Sequence, residues 1–408
     1  MVKPIDTRAK HALGLGTRAA HAAVARPAGV AQPLVQPLYQ STVFRFNSVA
    51  QVDEVYQGEE SGHVYYRMGT PNSTALEAAV AELEGAESGV TAASGMGTIS
   101  ALLLALAKAG DHLVADRHAY GGTYGLLTGD LPRLGIEATL VDVSDLAAVR
   151  AALRPNTRAL LVETLSNPTL RVADVPSLVA VAHERDIPVL VDNSFTSPVL
   201  IRPIEHGADV SWHSLAKYLG GHSSGMGGIA VGRLDLIEAA RQKVVHLGAS
   251  LGPFDAWMVA QGLPTLTLRV DRHSANALTV AGFLAEHRGV SRVLYPGLPS
   301  HRDHNLATRL FGGRYGGMIA FSVKGGRSGA EGFLRSLELI AFAPSLADVR
   351  TMVSYPIATS HRDLPPATLQ AMDIDAGLIR LSVGIEDVDD IIADLDRALE
   401  AAPAGRGS

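Results

Sequence analysis

From about residue 65 to about residue 262, short apolar runs alternate with helical stretches, and this alternation leaves few folds open to the chain. Ala159-Leu160-Leu161-Val162, Val189-Leu190-Val191 and Ile229-Ala230-Val231 are apolar throughout, the pattern of parallel strands buried on both faces. Leu146 to Leu153 and Val175 to Glu184 read as helices between them. Strands and helices in turn predict a doubly wound α/β domain. Ligands of such sheets sit beyond the carboxyl ends of the strands. Glu163, Asp192 and Lys217 all fall at or just after predicted strand ends.

The flanks read differently. Residues 1–64 are expected to be an irregular arm lying on a partner subunit, since Pro27, Pro33 and Pro37 break any periodicity. Residues 65–262 form the α/β domain. Residues 263–408 read as a smaller α+β domain, opening on a helix near Thr267 to Glu286 and closing on the helix Val388 to Ala401. No repeat is evident, and low complexity is confined to the tail Ala401 to Ser408. A chain of 408 residues has room for these parts.

Lys217 is the residue with the most chemistry. It stands in Ser214-Leu215-Ala216-Lys217-Tyr218-Leu219-Gly220-Gly221-His222, a glycine-rich turn after an apolar segment, where an amine is presented to a pocket rather than to bulk solvent. Asp192 ends another apolar strand 25 residues earlier. An amine that can condense with an aldehyde, and a carboxylate that keeps a pyridine nitrogen protonated, are what a pyridoxal phosphate site requires. For Asp192 the competing reading is a turn cap.

Composition narrows the partners. Net charge is −6, from 35 basic and 41 acidic residues well mixed, and no basic stripe alternates with aromatics, so nucleic acid is not expected. There are no cysteines, which excludes disulfides and thiolate metal sites. Apolar runs such as Ile99 to Ala107 are too short to span a bilayer. The amino terminus lacks a signal layout, so a cytoplasmic location is expected.

Other candidates each carry two readings. Ser94-Gly95-Met96-Gly97-Thr98 precedes a helical run and either offers first-turn N–H groups to an anion or is a plain Ser-capped turn. Tyr120, before Gly121-Gly122, either stacks on a heteroaromatic ring or packs for its area. Arg67, after Tyr65-Tyr66, either grips a phosphate or lies on the surface. Arg380, between apolar neighbours, needs an anion: a substrate carboxylate, or Glu386 or Asp387 within the chain. His301-Arg302-Asp303-His304 reads as a solvated loop and not a metal site. Gly14-Leu15-Gly16 lacks the strand and third glycine of a dinucleotide loop, which removes a dehydrogenase from consideration.

Taken together, Ser214-x-x-Lys217-Tyr218-Leu219-x-Gly221-His222, Val191-Asp192-Asn193, Ser94-Gly95-Met96, Tyr120-Gly121-Gly122 and Arg380-Leu381-Ser382-Val383-Gly384-Ile385-Glu386-Asp387 resemble the Cys/Met metabolism family of pyridoxal phosphate enzymes. The resemblance runs from about residue 30 to the end. It implies the fold-type I, aspartate-aminotransferase-like architecture. It also implies that Lys217 carries the cofactor and serves as the mobile base, that Asp192 pairs with the ring nitrogen, and that Tyr120 stacks on the ring and helps protonate the leaving group. Gly95, Met96 and Ser214 would hold the phosphate, with Tyr65 and Arg67 reaching it from a neighbouring subunit. The assembly implied is a homotetramer of two catalytic dimers. Asn167 would contact the cofactor's 3′-oxygen, and Arg380, Ser345, Asn167 and Tyr65 would bind substrate.

Departures from the family pattern bear on the reaction. Ala216 stands where a threonine is usual. Met68, Gly125 and Pro344 stand where cystathionine γ-synthases resembling this chain carry two arginines and a glutamate, and Gly122 where methionine γ-lyases usually carry cysteine. Ser224 to Gly228 and Pro356 to His361 are most similar to the sulfhydrylase branch. The expectation from these residues is γ-replacement on an O-acylhomoserine by sulfide or cysteine. The alternative is γ-elimination by a C–S lyase, giving 2-oxobutanoate, ammonia and a thiol.

Overall fold

The computed structural model describes residues 13–23, 31–362 and 364–402. Parts of the expected arm (1–12 and 24–30) and of the tail (403–408) lie outside the described residues. The strands are β1 (Ser88–Ala92), β2 (His112–Asp116), β3 (Glu137–Val141), β4 (Thr157–Glu163), β5 (Val189–Asp192), β6 (Val210–Ser214), β7 (Gly228–Gly232), β8 (Val290–Leu294), β9 (Met318–Val323), β10 (Ala341–Phe342), β11 (Met352–Ser354) and β12 (Leu378–Ser382). The chain divides into two compact units, Met1–Ala107 with Pro203–Thr267, and Lys108–Arg202 with Leu268–Ser408.

In the first unit β7 lies between β1 and β6 and is antiparallel to both, with Ala230 opposite Val90 and Trp212. This corrects the expectation of a parallel strand at Ile229 to Val231. No helix lies between Ser214 and Gly228, and a parallel neighbour would need a crossover. Helix Gly95–Leu106 packs against helix Leu234–Leu247. The arm, expected to be irregular, carries two short helices, Leu15–Ala20 and Val49–Gln57. The second starts where the Ser48 hydroxyl accepts the Gln51 N–H at 3.2 Å and stops at Gly58, whose φ of 76° only glycine adopts cheaply.

The second unit holds the expected parallel strands in the order β5-β4-β2-β3. Helices Leu146–Ala152 and Val175–His183 are the predicted ones, each capped by an aspartate, Asp145 and Asp174. The same unit contains a five-stranded sheet in the order β10-β11-β12-β9-β8. Phe321 and Ile379 of this sheet join Phe333, Leu395 and Leu399 from the helices in one core. Helix Val388–Ala401 buries Ile391, Leu395, Ala398 and Leu399, the i, i+4, i+7, i+8 stripe of an amphipathic helix. Among the described residues no helix is long and apolar enough to cross a membrane.

His273 makes this second core pH-sensitive. Its ring is fully buried, and Nδ1–H donates to the Val383 carbonyl at 2.7 Å. Burial pushes its imidazole down to about 4, although the carbonyl bond opposes the shift. An unfolded histidine titrates near 6.5, so between pH 6.5 and 4 the unfolded chain takes up a proton that the folded chain refuses. Stability is therefore complete above the unfolded value and falls with acidification, by on the order of 3 kcal/mol for this one group. Urea titrations at pH 7 and pH 5 are expected to show about 2 kcal/mol of that loss, the rest appearing only as the pH falls to 4 and below, and His273→Gln to reduce it.

Candidate active site

Strand β6 delivers Lys217. After Ser214 the chain turns, with Leu215 N–H bonded to the Gly227 carbonyl at 2.9 Å and Gly220 N–H to the Leu215 carbonyl at 3.1 Å. Leu215, Tyr218 and Leu219 are buried and pin the turn to the core, which leaves Lys217 half-buried between them. The Lys217 carbonyl accepts Gly221 N–H at 2.7 Å. One residue before Ser214, His213 is buried with its Nε2 at 2.7 Å from Glu84, which also accepts the Ser211 hydroxyl at 3.1 Å. These bonds fasten the strand that carries the lysine.

Gly95 and Ser214 come together. A Cβ on Gly95 would sit 3.3 Å from the Ser214 Cβ, so only glycine lets the helix terminus approach the serine this closely. Ser94 is the cap of that helix, its hydroxyl accepting Gly97 N–H at 3.0 Å. Gly95 and Met96 are the first two residues of the helix and partly exposed. Their N–H groups have no acceptor within the helix and face the favourable end of its dipole. Ser94 thus caps the helix as its plain reading expects, and the Gly95 and Met96 N–H groups open the helix beside Ser214.

In the second unit β4 and β5 end side by side, with Glu163 opposite Asp192. Asp192 is half-buried and accepts Ser194 N–H at 2.9 Å, the turn-cap geometry expected of it. Tyr120 leaves 42% of its surface exposed, as a stacking ring requires, and its backbone N–H donates to Glu163. Glu163 is only 7% exposed. Burial pushes its carboxyl well above the usual carboxylate range, and the charge of Asp192 pushes it further. One acid of such a pair keeps its own proton, which leaves the other to face a cationic partner such as a pyridine N–H. Each unit by itself carries residues that fit a part of pyridoxal phosphate: the first a helix start beside Ser214 that suits a phosphate, the second an acid at a strand end that suits a pyridine N–H.

Arg380 sits mid-strand in β12 and is 4% exposed. It turns to neither Glu386 nor Asp387. Glu386 holds the Thr351 hydroxyl at 2.9 Å, and Asp387 lies 3.4 Å from Arg272. The guanidinium donates to Asn167 Oδ1 at 2.9 Å and to the Ser345 carbonyl at 3.0 Å, and lies over the Phe195 ring at 5.9 Å. These three partners are neutral. Ser345 thus contributes its main-chain oxygen to Arg380. His361 is buried close by, with Nδ1 at 2.8 Å from the Ser360 hydroxyl; burial, and secondarily the Arg380 charge, lower its imidazole to about 4.

Tyr65 and Arg67 are exposed in the first unit, the guanidinium lying 5.7 Å from the Tyr65 ring centre and donating to the Val245 carbonyl at 3.1 Å. His301, expected in a solvated loop, is buried, and its Nδ1 accepts Asp303 N–H at 3.1 Å. Among the described residues no group of acids and histidines could hold a metal. Glu163 is the site residue that sequence reasoning located but gave no role. Its place at a strand end was the only available signal.

Comparison with known proteins agrees with this chemistry. The chain is 41% identical over 95% of its length to an L-methionine gamma-lyase of Porphyromonas gingivalis, covering 97% of that protein. It is 39% identical to an O-succinylhomoserine sulfhydrylase of Pseudomonas aeruginosa, with 90% of this chain and 91% of that one aligned. A solved structure from Campylobacter jejuni, which carries N′-pyridoxyl-lysine-5′-monophosphate, superposes with a TM-score of 0.90 at 32% identity over 95% of this chain and all of that one. At that identity and overlap the likeness places the chain among the fold-type I pyridoxal phosphate enzymes. The model of the Cys/Met metabolism PLP-dependent enzymes matches residues 16–400, and the chain belongs to that family of pyridoxal phosphate enzymes.

Proposed function

We propose that the protein is a C–S lyase that cleaves the γ-carbon–sulfur bond of a sulfur amino acid such as methionine. The likeness to L-methionine gamma-lyase over nearly the whole chain carries this reading, and supports it better than the γ-replacement expected from the sequence. Methionine and water become 2-oxobutanoate, ammonia and methanethiol. The cofactor, when bound, would supply an electron sink for the electron pair left at Cα when its proton is removed.

The chain's own residues do the rest. Lys217 holds the cofactor and moves protons at Cα and Cβ. Asp192 keeps the proton on the ring nitrogen. Tyr120 stacks on the ring and hands a proton to the departing sulfur. The Gly95 and Met96 N–H groups with the Ser214 hydroxyl hold the phosphate, Asn167 meets the 3′-oxygen, and Arg380, set by Asn167 and the Ser345 carbonyl, holds the substrate carboxylate. We propose further that Tyr65 and Arg67, at the end of the 1–64 arm, complete the phosphate site of a second copy in a homotetramer. Residues 65–262 then bind cofactor and 263–408 supply the carboxylate arm.

The purified protein should be yellow, and should release 2-oxobutanoate from methionine in the absence of any added thiol. A second reading, replacement on an O-acylhomoserine, is favoured by the likeness to the sulfhydrylase and by Gly122 in the place of the lyases' usual cysteine. Incubation with O-acetylhomoserine or O-succinylhomoserine, with and without sulfide or cysteine, separates the two. A thioether or homocysteine formed from the esters, with no keto acid from methionine, would replace the lyase by the transferase.

A further inference from the structure

Glu163 touches several parts of the candidate site, and nothing in the reaction consumes it. Its carboxyl accepts the backbone N–H of Tyr120. The backbone of Asn167, four residues on, also donates toward it. In the sheet it lies directly opposite Asp192 on the neighbouring parallel strand. Residues so paired point to the same face, with backbones about 4.8 Å apart. One side chain therefore touches the ring-stacking loop and the carboxylate-binding turn while flanking the acid at the ring nitrogen.

We propose that Glu163 is a positioning residue that registers Tyr120 and Asn167 around Asp192, and that it does so as the neutral carboxylic acid. The reason is electrostatic. Two ionised carboxylates on adjacent strands of a buried sheet end repel each other, and one of such a pair keeps its proton. Glu163 is the better buried of the two, since Asp192 is half-exposed. Asp116, one strand further out in β2, adds a smaller push in the same direction, and its own charge is shared with His118 at 3.1 Å. A neutral Glu163 leaves Asp192 as the anion for the ring nitrogen. It still presents a carbonyl oxygen to the Tyr120 N–H. This step rests on the roles given to Asp192, Tyr120 and Asn167.

Two variants separate the parts of the proposal. Glu163→Gln is neutral, isosteric and keeps an acceptor oxygen. Glu163→Leu is neutral and loses it. The expected result is that Glu163→Gln retains most of the cofactor affinity and of kcat/KM. Glu163→Leu should lose about 10²-fold in kcat/KM, with KM for the amino acid raised because Asn167, the partner of Arg380, is released. An infrared difference spectrum between the cofactor-free wild type and cofactor-free Glu163→Gln should show the carbonyl stretch of a protonated carboxylic acid. This readout needs no turnover, so it stands whether or not the reaction assigned above is right. A carboxylate band in its place, or a Gln variant as impaired as the Leu variant, would overturn the neutral assignment. A Leu variant with wild-type KM and kcat would overturn the positioning role. Should the Leu variant not fold, the infrared band and the Gln variant still decide.

Discussion

Replacing Lys217 by alanine is expected to lower kcat by about 10⁴-fold or more while leaving the fold intact. Two losses combine. The amine is the covalent tether of the cofactor, and it is the group proposed to move protons at both Cα and Cβ. No neighbour can substitute, because Ser214 and Tyr218 are hydroxyl groups of low basicity and Tyr218 is buried. The fold should not suffer, because the turn is held by Leu215, Tyr218 and Leu219 and by main-chain bonds that an alanine retains. A half-buried lysine lost from such a turn changes stability by roughly 0.5 kcal/mol or less. Thermal melts of the two cofactor-free proteins should therefore coincide closely. The visible band of the wild type should disappear with borohydride. The variant should show no such borohydride-trapped lysine adduct. Residual turnover above a few per cent would contradict the role.

Arg380→Ala is expected to cost about 30-fold to a few thousand-fold in kcat/KM, mainly through KM, since truncating one partner of a buried charge-assisted pair costs about 2–5 kcal/mol. The guanidinium is 4% exposed and its resident partners, Asn167 Oδ1 and the Ser345 carbonyl, are neutral. Arg380→Lys should recover little, because an ammonium cannot bond Asn167, Ser345 and a carboxylate oxygen pair in one plane. The decisive control is a substrate analogue with the amine but without the carboxylate. Wild type and Arg380→Ala should bind this amine alike and differ only on the amino acid. A KM for the amino acid raised less than about threefold would remove Arg380 from substrate binding.

Much of this site was legible because its signals are local. Apolar runs closed by a polar residue mark strand ends, and Asp192 and Lys217 were found that way. Ser94 ahead of two glycines and an apolar stretch marks a capped helix start, and the structure places Gly95 against Ser214 there. Helix Val388–Ala401 was readable from its stripe alone. Other features had no local signal. The apolar run at Ile229 to Val231 has the same composition in a parallel or an antiparallel strand, so its direction was missed. His301 looked solvated because its sequence neighbours are polar, and they carry no sign of its burial or of its bond with the backbone of Leu170, distant in the chain. Arg380 had acids within seven residues as one reading beside a substrate carboxylate, and its neighbours in sequence alone did not decide between them.

What the sequence by itself determined is the set of elements and the chemical groups at their ends, because hydrophobic period, caps and turn glycines act over a few residues. Only the tertiary structure decided which groups meet. Arg380 reaches across 213 residues to Asn167, and Glu163 faces Asp192 because β4 and β5 pair in that register. Register and long-range contact follow from the packing of the whole core, and no short stretch of the chain contains that information.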